Sequence, residues 1–104
     1  MTPKEMLIQV KELLSDPARW TTGVLARDQN GLSVLPAGEA ATCFCIVGAI
    51  LKITPPTEDG AYKFCMSALR STAKSAGRIA ANNDNISHPE LLAWIDRAIA
   101  EVRE

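Results

Sequence analysis

The chain carries a single histidine, no Cys-x-x-Cys pair, and no apolar run long enough to cross a bilayer. Each absence removes a class of function. The three cysteines, Cys43, Cys45 and Cys65, are odd in number and sit inside apolar runs. That pattern argues against a disulfide framework and for free thiols in a reducing compartment. The longest apolar stretch, residues 40–51, falls well short of the roughly 20 residues a transmembrane helix needs. Met1-Thr2-Pro3-Lys4-Glu5 lacks the basic start, apolar stretch and small-residue cleavage site of a secretory leader. A cytoplasmic protein with no membrane partner is the expectation. Charge of one sign is also missing: 11 Lys and Arg stand against 12 Asp and Glu, a formal charge of -1, with a pI near 5.8. This excludes a surface built as a whole to neutralise phosphates, so any basic site must be local. With no internal repeat, low-complexity tract or linker, residues 1–104 are expected to form one domain.

What the chain does have is enough apolar material for a core: 47% hydrophobic residues against 22% charged. Thr2, Pro3 and Glu5 form a capping-box start. Met6, Leu7, Val10, Leu13 and Leu14 then recur at three- and four-residue steps, predicting a helix over about 3–14 that Ser15-Asp16-Pro17 stops. Asp28-Gln29-Asn30-Gly31 reads as a turn between residues 20–27 and Leu32-Ser33-Val34-Leu35, giving a small hairpin. A lone two-stranded ribbon is marginal in water, so it must lean on the helices through Trp20, Val24 or Leu32.

Residues 40–53 are apolar around nearly the whole circumference, predicting a central helix closed by Pro55-Pro56. Gly48 in its middle weakens the helix by about 1 kcal/mol relative to alanine, which calls for close approach by a neighbouring element. A second helical stretch runs over about 60–81, with Cys65, Met66, Leu69, Ala73, Ala76 and Ala80 on one face and Gly77 as an early break point. Asn82-Asn83-Asp84-Asn85 reads as a polar loop. Ser87-His88-Pro89-Glu90 repeats the capping-box form ahead of a helix over 88–102 that buries Leu91, Trp94 or Ile95, Ala98 and Val102. The expected fold class is α+β, mostly α: about four helices around a central apolar helix, with a small β-hairpin.

Several short elements occur in a fixed order: Trp20-Thr21-Thr22-Gly23, Ala26-Arg27-Asp28 with Gly31, Cys45 with Gly48-Ala49, Asn83-Asp84, then Ser87-His88 before Glu90-Leu91 and Arg97-Ala98-Ile99. In that order they resemble a family of small uncharacterised bacterial and phage proteins, a domain of unknown function, over roughly residues 18–100. The chain differs from that pattern in having no aromatic just before Asn83-Asp84, and Asn85-Ile86 where a Pro-Gly-type turn is expected. The resemblance implies a phage or prophage origin and carries no activity.

Three constellations deserve chemical consideration. Cys45, with Asn83 or Asp84 and His88, supplies the parts of a thiol nucleophile: a cysteine near a helix start, an imidazole to take its proton and a group to orient the imidazole. The same residues are explained separately as a small core thiol, turn formers and a first-turn helix residue. Cys43, Cys45, Cys65 and His88 are zinc-type ligands, but their gaps are wide. Residues two apart on a helix point about 200° apart, so Cys43 and Cys45 can chelate one ion only if the helix begins after them, and no metal and no cofactor is expected. Lys63, Arg70, Lys74 and Arg78 fall within about 80° of arc on one helix, with no acid between Gly60 and Asn83. This basic stripe is a candidate binding face for an acidic protein or, weakly, for nucleic acid. It lacks the aromatics for stacking and the Asn or Gln for base reading. Trp94 shares the apolar spacing of Leu91 and Ala98; Trp20 either closes the core edge or remains partly exposed. The function expected is a non-catalytic protein-interaction module, with a phage or mobile-element accessory as its expected setting. A small thiol-dependent enzyme using Cys45 and His88, or a weak nucleic-acid binder, are the alternatives.

Overall fold

Helix α1, Pro3–Leu14, begins where the sequence places it: the Thr2 hydroxyl accepts from the Glu5 amide at 3.1 Å. Its buried face is Met6, Leu7, Val10 and Leu14. A computed structural model describes residues 2–55, 59–74 and 78–102 of the chain. After α1, Asp16 caps a single 3-10 turn, Pro17–Arg19. Two short strands follow, β1 (Ala26–Arg27) and β2 (Cys43–Phe44), and then α2 (Ile46–Ile53), α3 (Asp59–Thr72), α4 (Ile79–Asp84) and α5 (His88–Glu101). The expected class, mostly helical α+β with a small antiparallel hairpin, is the one the chain adopts.

Three boundaries differ from the sequence reading, each for a physical reason. The apolar run 40–53 is not one helix. Cys43 and Phe44 pair antiparallel with Arg27 and Ala26, and only from Ile46 does the run turn helical, with Cys45 as the capping residue. The expected turn at Asp28–Gly31 does form: the Asp28 carboxylate accepts from the Asn30 and Leu32 amides, and Gly31 takes a positive φ of 83°. Its second arm, however, contributes only an isolated bridge between Arg27 and Ser33, so β2 and not residues 32–35 completes the ladder.

The stretch 60–81 divides into α3 and α4. The hydroxyl groups of Ser71 and Thr72 bond back to the Ala68 carbonyl, and α3 ends there. Asn82, Asn83 and Asp84 are the last turn of α4 and not a loop. Ala76 and Gly77, like Pro56, lie outside the described residues. The capping box of α5 is complete: Ser87 accepts from the Glu90 amide and Glu90 from the Ser87 amide at 3.0 Å.

The core is one cluster. α1 packs on α2, α3 and α5, and α3 packs on α5. Met6, Leu7, Ile46, Ile50, Leu69, Leu91, Trp94 and Ile95 are fully buried. Trp94 and Ile95 both face inward; the Trp94 indole N–H donates to the Leu69 carbonyl at 3.0 Å, so its polar edge is satisfied within the core. α2 meets α1 on one side and α4 on another. Gly48 explains the approach of the loop before β1: a β-carbon there would stand 1.9 Å from the Leu25 carbonyl oxygen. The close neighbour expected from the sequence is this backbone segment.

Candidate functional site

Asn83 organises the region where the sequence candidates meet. It is fully buried on α4, and all four of its side-chain positions are used. Its Oδ1 accepts from the Trp20 indole N–H at 2.8 Å and from the Ile46 amide at 3.1 Å. Its Nδ2 donates to the Thr21 carbonyl at 3.2 Å and to Asp84 Oδ1 at 3.1 Å. One side chain thus ties the loop after the 3-10 turn to the start of α2, satisfying one of the orphan amides of that helix. Trp20 packs against the core edge and remains half-buried, combining the two roles left open by its sequence position.

The neighbouring groups are fixed in the same way. The Cys45 thiol sulfur accepts from the Gly48 amide at 3.3 Å, so this cysteine is the cap of α2. Burial pushes its thiol above the usual cysteine range, further helped by the Asp84 charge. Hydrogen bonds from the Gly48 and Val47 amides pull the other way without prevailing. Asp84 Oδ1 also accepts from the Gly23 amide at 3.1 Å. Arg27 clasps the loop from inside, donating through Nε to Thr21 Oγ1, and through its two terminal nitrogens to the carbonyls of Gly31 and Thr22.

Cys45, Asn83 and Asp84 therefore line one cleft of about 210 Å³, together with Gly23, Val24, Leu25, Val47 and Ala80. His88 is committed elsewhere. Its Nε2 is 2.6 Å from the Leu14 carbonyl at the end of α1, and its ring lies against Trp20 with centroids 5.8 Å apart. A neutral ring donates this bond through Nε2–H. Neither ring nitrogen is hydrogen-bonded to the Cys45 thiol. A thiol held protonated by burial, with no base bonded to it, is poorly set for nucleophilic attack at neutral pH.

The remaining candidates do not gather. Lys63 and Arg70 are exposed on α3, Lys74 follows its end, and Arg78 is the residue before α4, so no single helix carries the four on one arc. Asp96 of α5 pairs with Lys11 at 2.7 Å and not with any of these cations. Cys43 reaches toward the Arg27 carbonyl, while Cys65 donates to the Pro3 carbonyl at 3.3 Å. Among the described residues, no group of three or more His, Cys, Asp or Glu side chains is arranged to hold a metal ion. No helix among them is long and apolar enough to cross a membrane.

Sequence reading missed that Trp20, Asn83 and Ile46 form one bonded unit, and that Arg27 is a loop clasp. The signal was present only as order: the short elements around Trp20, Arg27, Cys45, Gly48 and Asn83 are the ones this network joins. No curated protein and no solved structure shows a significant match to the chain. The model of a family of unknown function, DUF6197, matches residues 1–101, and the chain belongs to that family.

Proposed function

We propose that the chain is a non-catalytic protein-interaction domain whose partner docks on the apolar surface beside the cleft. The observation that carries this reading is a set of exposed leucines on one loop: Leu25, Leu32 and Leu35 are 43%, 64% and 79% exposed. Extending the Arg27–Ser33 bridge register puts Leu35 opposite Leu25. Leu25 also forms part of the cleft wall. The loop beneath them is held by Arg27, Asp28 and Asp84, so the leucines are presented by a fixed backbone, a condition that reduces the ordering cost of binding.

A thiol enzyme has less support, since Cys45 serves as a helix cap and His88 as a donor to α1. Nucleic-acid binding has less support because the four cations are divided between α3, which carries Lys63 and Arg70, and the segment before α4, which carries Lys74 and Arg78. A reducing, cytoplasmic setting belongs to the same proposal, supported by three free cysteines. A phage or mobile-element role rests on the sequence resemblance alone. The test is a photo-crosslinking residue placed at Leu35 in the full chain, expressed in the native host, with the same residue at Glu12 as control. A discrete adduct from position 35 that Leu32→Ser diminishes is expected. No adduct from 35, or the same adducts from 12, overturns the proposal.

A further inference from the structure

Asp84 stands out in the cleft because it is the one ionisable carboxylate among the lining residues, and its geometry is fixed before any ligand arrives. The Gly23 amide and Asn83 Nδ2 both donate to Oδ1. Oδ2 accepts no hydrogen bond from the described residues, and Asp84 forms no ion pair with any of them. Asp84 is exposed, and the cleft it helps to line is otherwise largely apolar, with Val24, Leu25, Val47 and Ala80 among its walls. The cleft thus pairs one carboxylate that is in no ion pair among the described residues with a largely apolar volume of about 210 Å³. An anion is repelled there, and a purely apolar group leaves the carboxylate partly desolvated without a partner.

We propose that the cleft receives a lysine side chain of the protein partner, its four-carbon stem against Val24, Leu25 and Val47 and its ammonium on Asp84 Oδ2. Lysine fits better than arginine because Oδ1 is already doubly bonded. A point charge needs only the one free oxygen, whereas a guanidinium achieves its planar two-bond match only with both. The source is taken to be a protein because Leu25 is shared between the cleft wall and the exposed leucines, which makes the two surfaces continuous. This inference rests on the interaction-domain reading for its partner.

The experiment titrates the isotope-labelled full chain at low salt with N-acetyl-lysine methylamide, and separately with the norleucine analogue, which keeps the stem without the charge. The readouts are the Gly23 amide and the Asn83 side-chain amide resonances. Saturable shifts are expected with capped lysine, and binding weaker by about tenfold or more with capped norleucine and in Asp84→Asn, since each removes a charge-assisted hydrogen bond. An asparagine oxygen still accepts from the Gly23 amide, so the fold is retained; an unchanged Trp20 indole N–H resonance verifies this. If that resonance moves, the wild-type titration at about 1 M salt, where the screening length falls to ~3 Å, replaces the variant and is expected to show weakened binding. No saturable shift, equal affinity for norleucine, or lysine binding indifferent to both Asp84→Asn and salt overturns the proposal. Leu32→Ser is expected to leave the lysine titration unchanged while diminishing the position-35 adduct, so the two readings fail separately.

Discussion

The layer formed by α1, α3 and α5 and the region formed by the loop 20–35, β1, β2 and α4 are held together by different physics. The first is stabilised by burial of aliphatic side chains and Trp94 in one cluster, an attraction without direction that tolerates small changes of shape. The second has few large buried side chains of its own. It is built on Asn83, Arg27, Asp28 and Asp84, each making bonds that only one arrangement of the backbone satisfies. The exposed leucines and the cleft stand on the directional half of the molecule. Its shape is specified more narrowly than that of the helical layer, and it is broken by smaller chemical changes.

The comparison breaks most severely at Asn83. Asn83→Leu is close in volume but removes every bond, leaving the part-buried Trp20 indole N–H and the buried Ile46 amide without acceptors. With each orphaned buried donor worth roughly 1 to 3 kcal/mol, a loss of about 3 to 5 kcal/mol is expected in urea denaturation. Gly48→Ala comes next. The added methyl meets the Leu25 carbonyl at 1.9 Å, and a backbone atom cannot rotate away. An overpacking loss of about 3 kcal/mol is expected, with chemical-shift changes concentrated in the 23–26 segment. Losses below ~1 kcal/mol at both positions would show that the loop region is not held as described.

The helical layer should yield less. Ile95→Val removes one buried methylene from a fully buried position on α5, and a loss of about 0.5 to 1.5 kcal/mol is expected. Ser87→Ala removes the acceptor of the α5 capping box, for about 1 kcal/mol. If either equals the loss at Asn83, the distinction between the two regions falls.

The same division explains what the sequence made legible. α1 and α5 are read almost to the residue because a capping side chain and an apolar period are local signals, complete within one turn or one helix. α2 was extended too far because its start is marked by Cys45, whose sulfur is not a customary cap, and because Cys43 and Phe44 suit an apolar helix as well as a buried strand. Only the partner strand, sixteen or more positions earlier, decides between them. Asn82, Asn83 and Asp84 have the composition of a turn. Asn83 sits inside a helix instead because its partners Trp20, Thr21 and Ile46 reach it from 37 to 63 positions away. Hydrogen-bond hubs of this kind have no period. For the candidate site, residue type alone selected Cys45, Asn83 and Asp84, which converge, and also His88, which is bonded to α1 and not to the thiol.

The smallest effect expected is one of pH, and it separates the regions by a different property. Cys65, on α3 in the helical layer, is fully buried, and burial pushes its thiol up to about 11. The group is neutral when protonated, so the native state holds its proton longer than the unfolded chain, whose thiol titrates near the ordinary value of 9.0. Stability from this source is therefore complete below about pH 9 and is lost as the pH rises toward about 11, because the unfolded chain releases the proton first. Cys45 contributes with the same sign, since its thiol is also raised by burial. In urea denaturation between about pH 8 and 11, Cys65→Ala should be less stable at the lower end, through the space it leaves, yet lose less with rising pH than the wild type. A wild-type slope equal to that of Cys65→Ala would mean that the thiol ionises in the folded protein as readily as in the unfolded one. That outcome would open the α1–α3 contact at Pro3, where the thiol donates its hydrogen bond, to solvent.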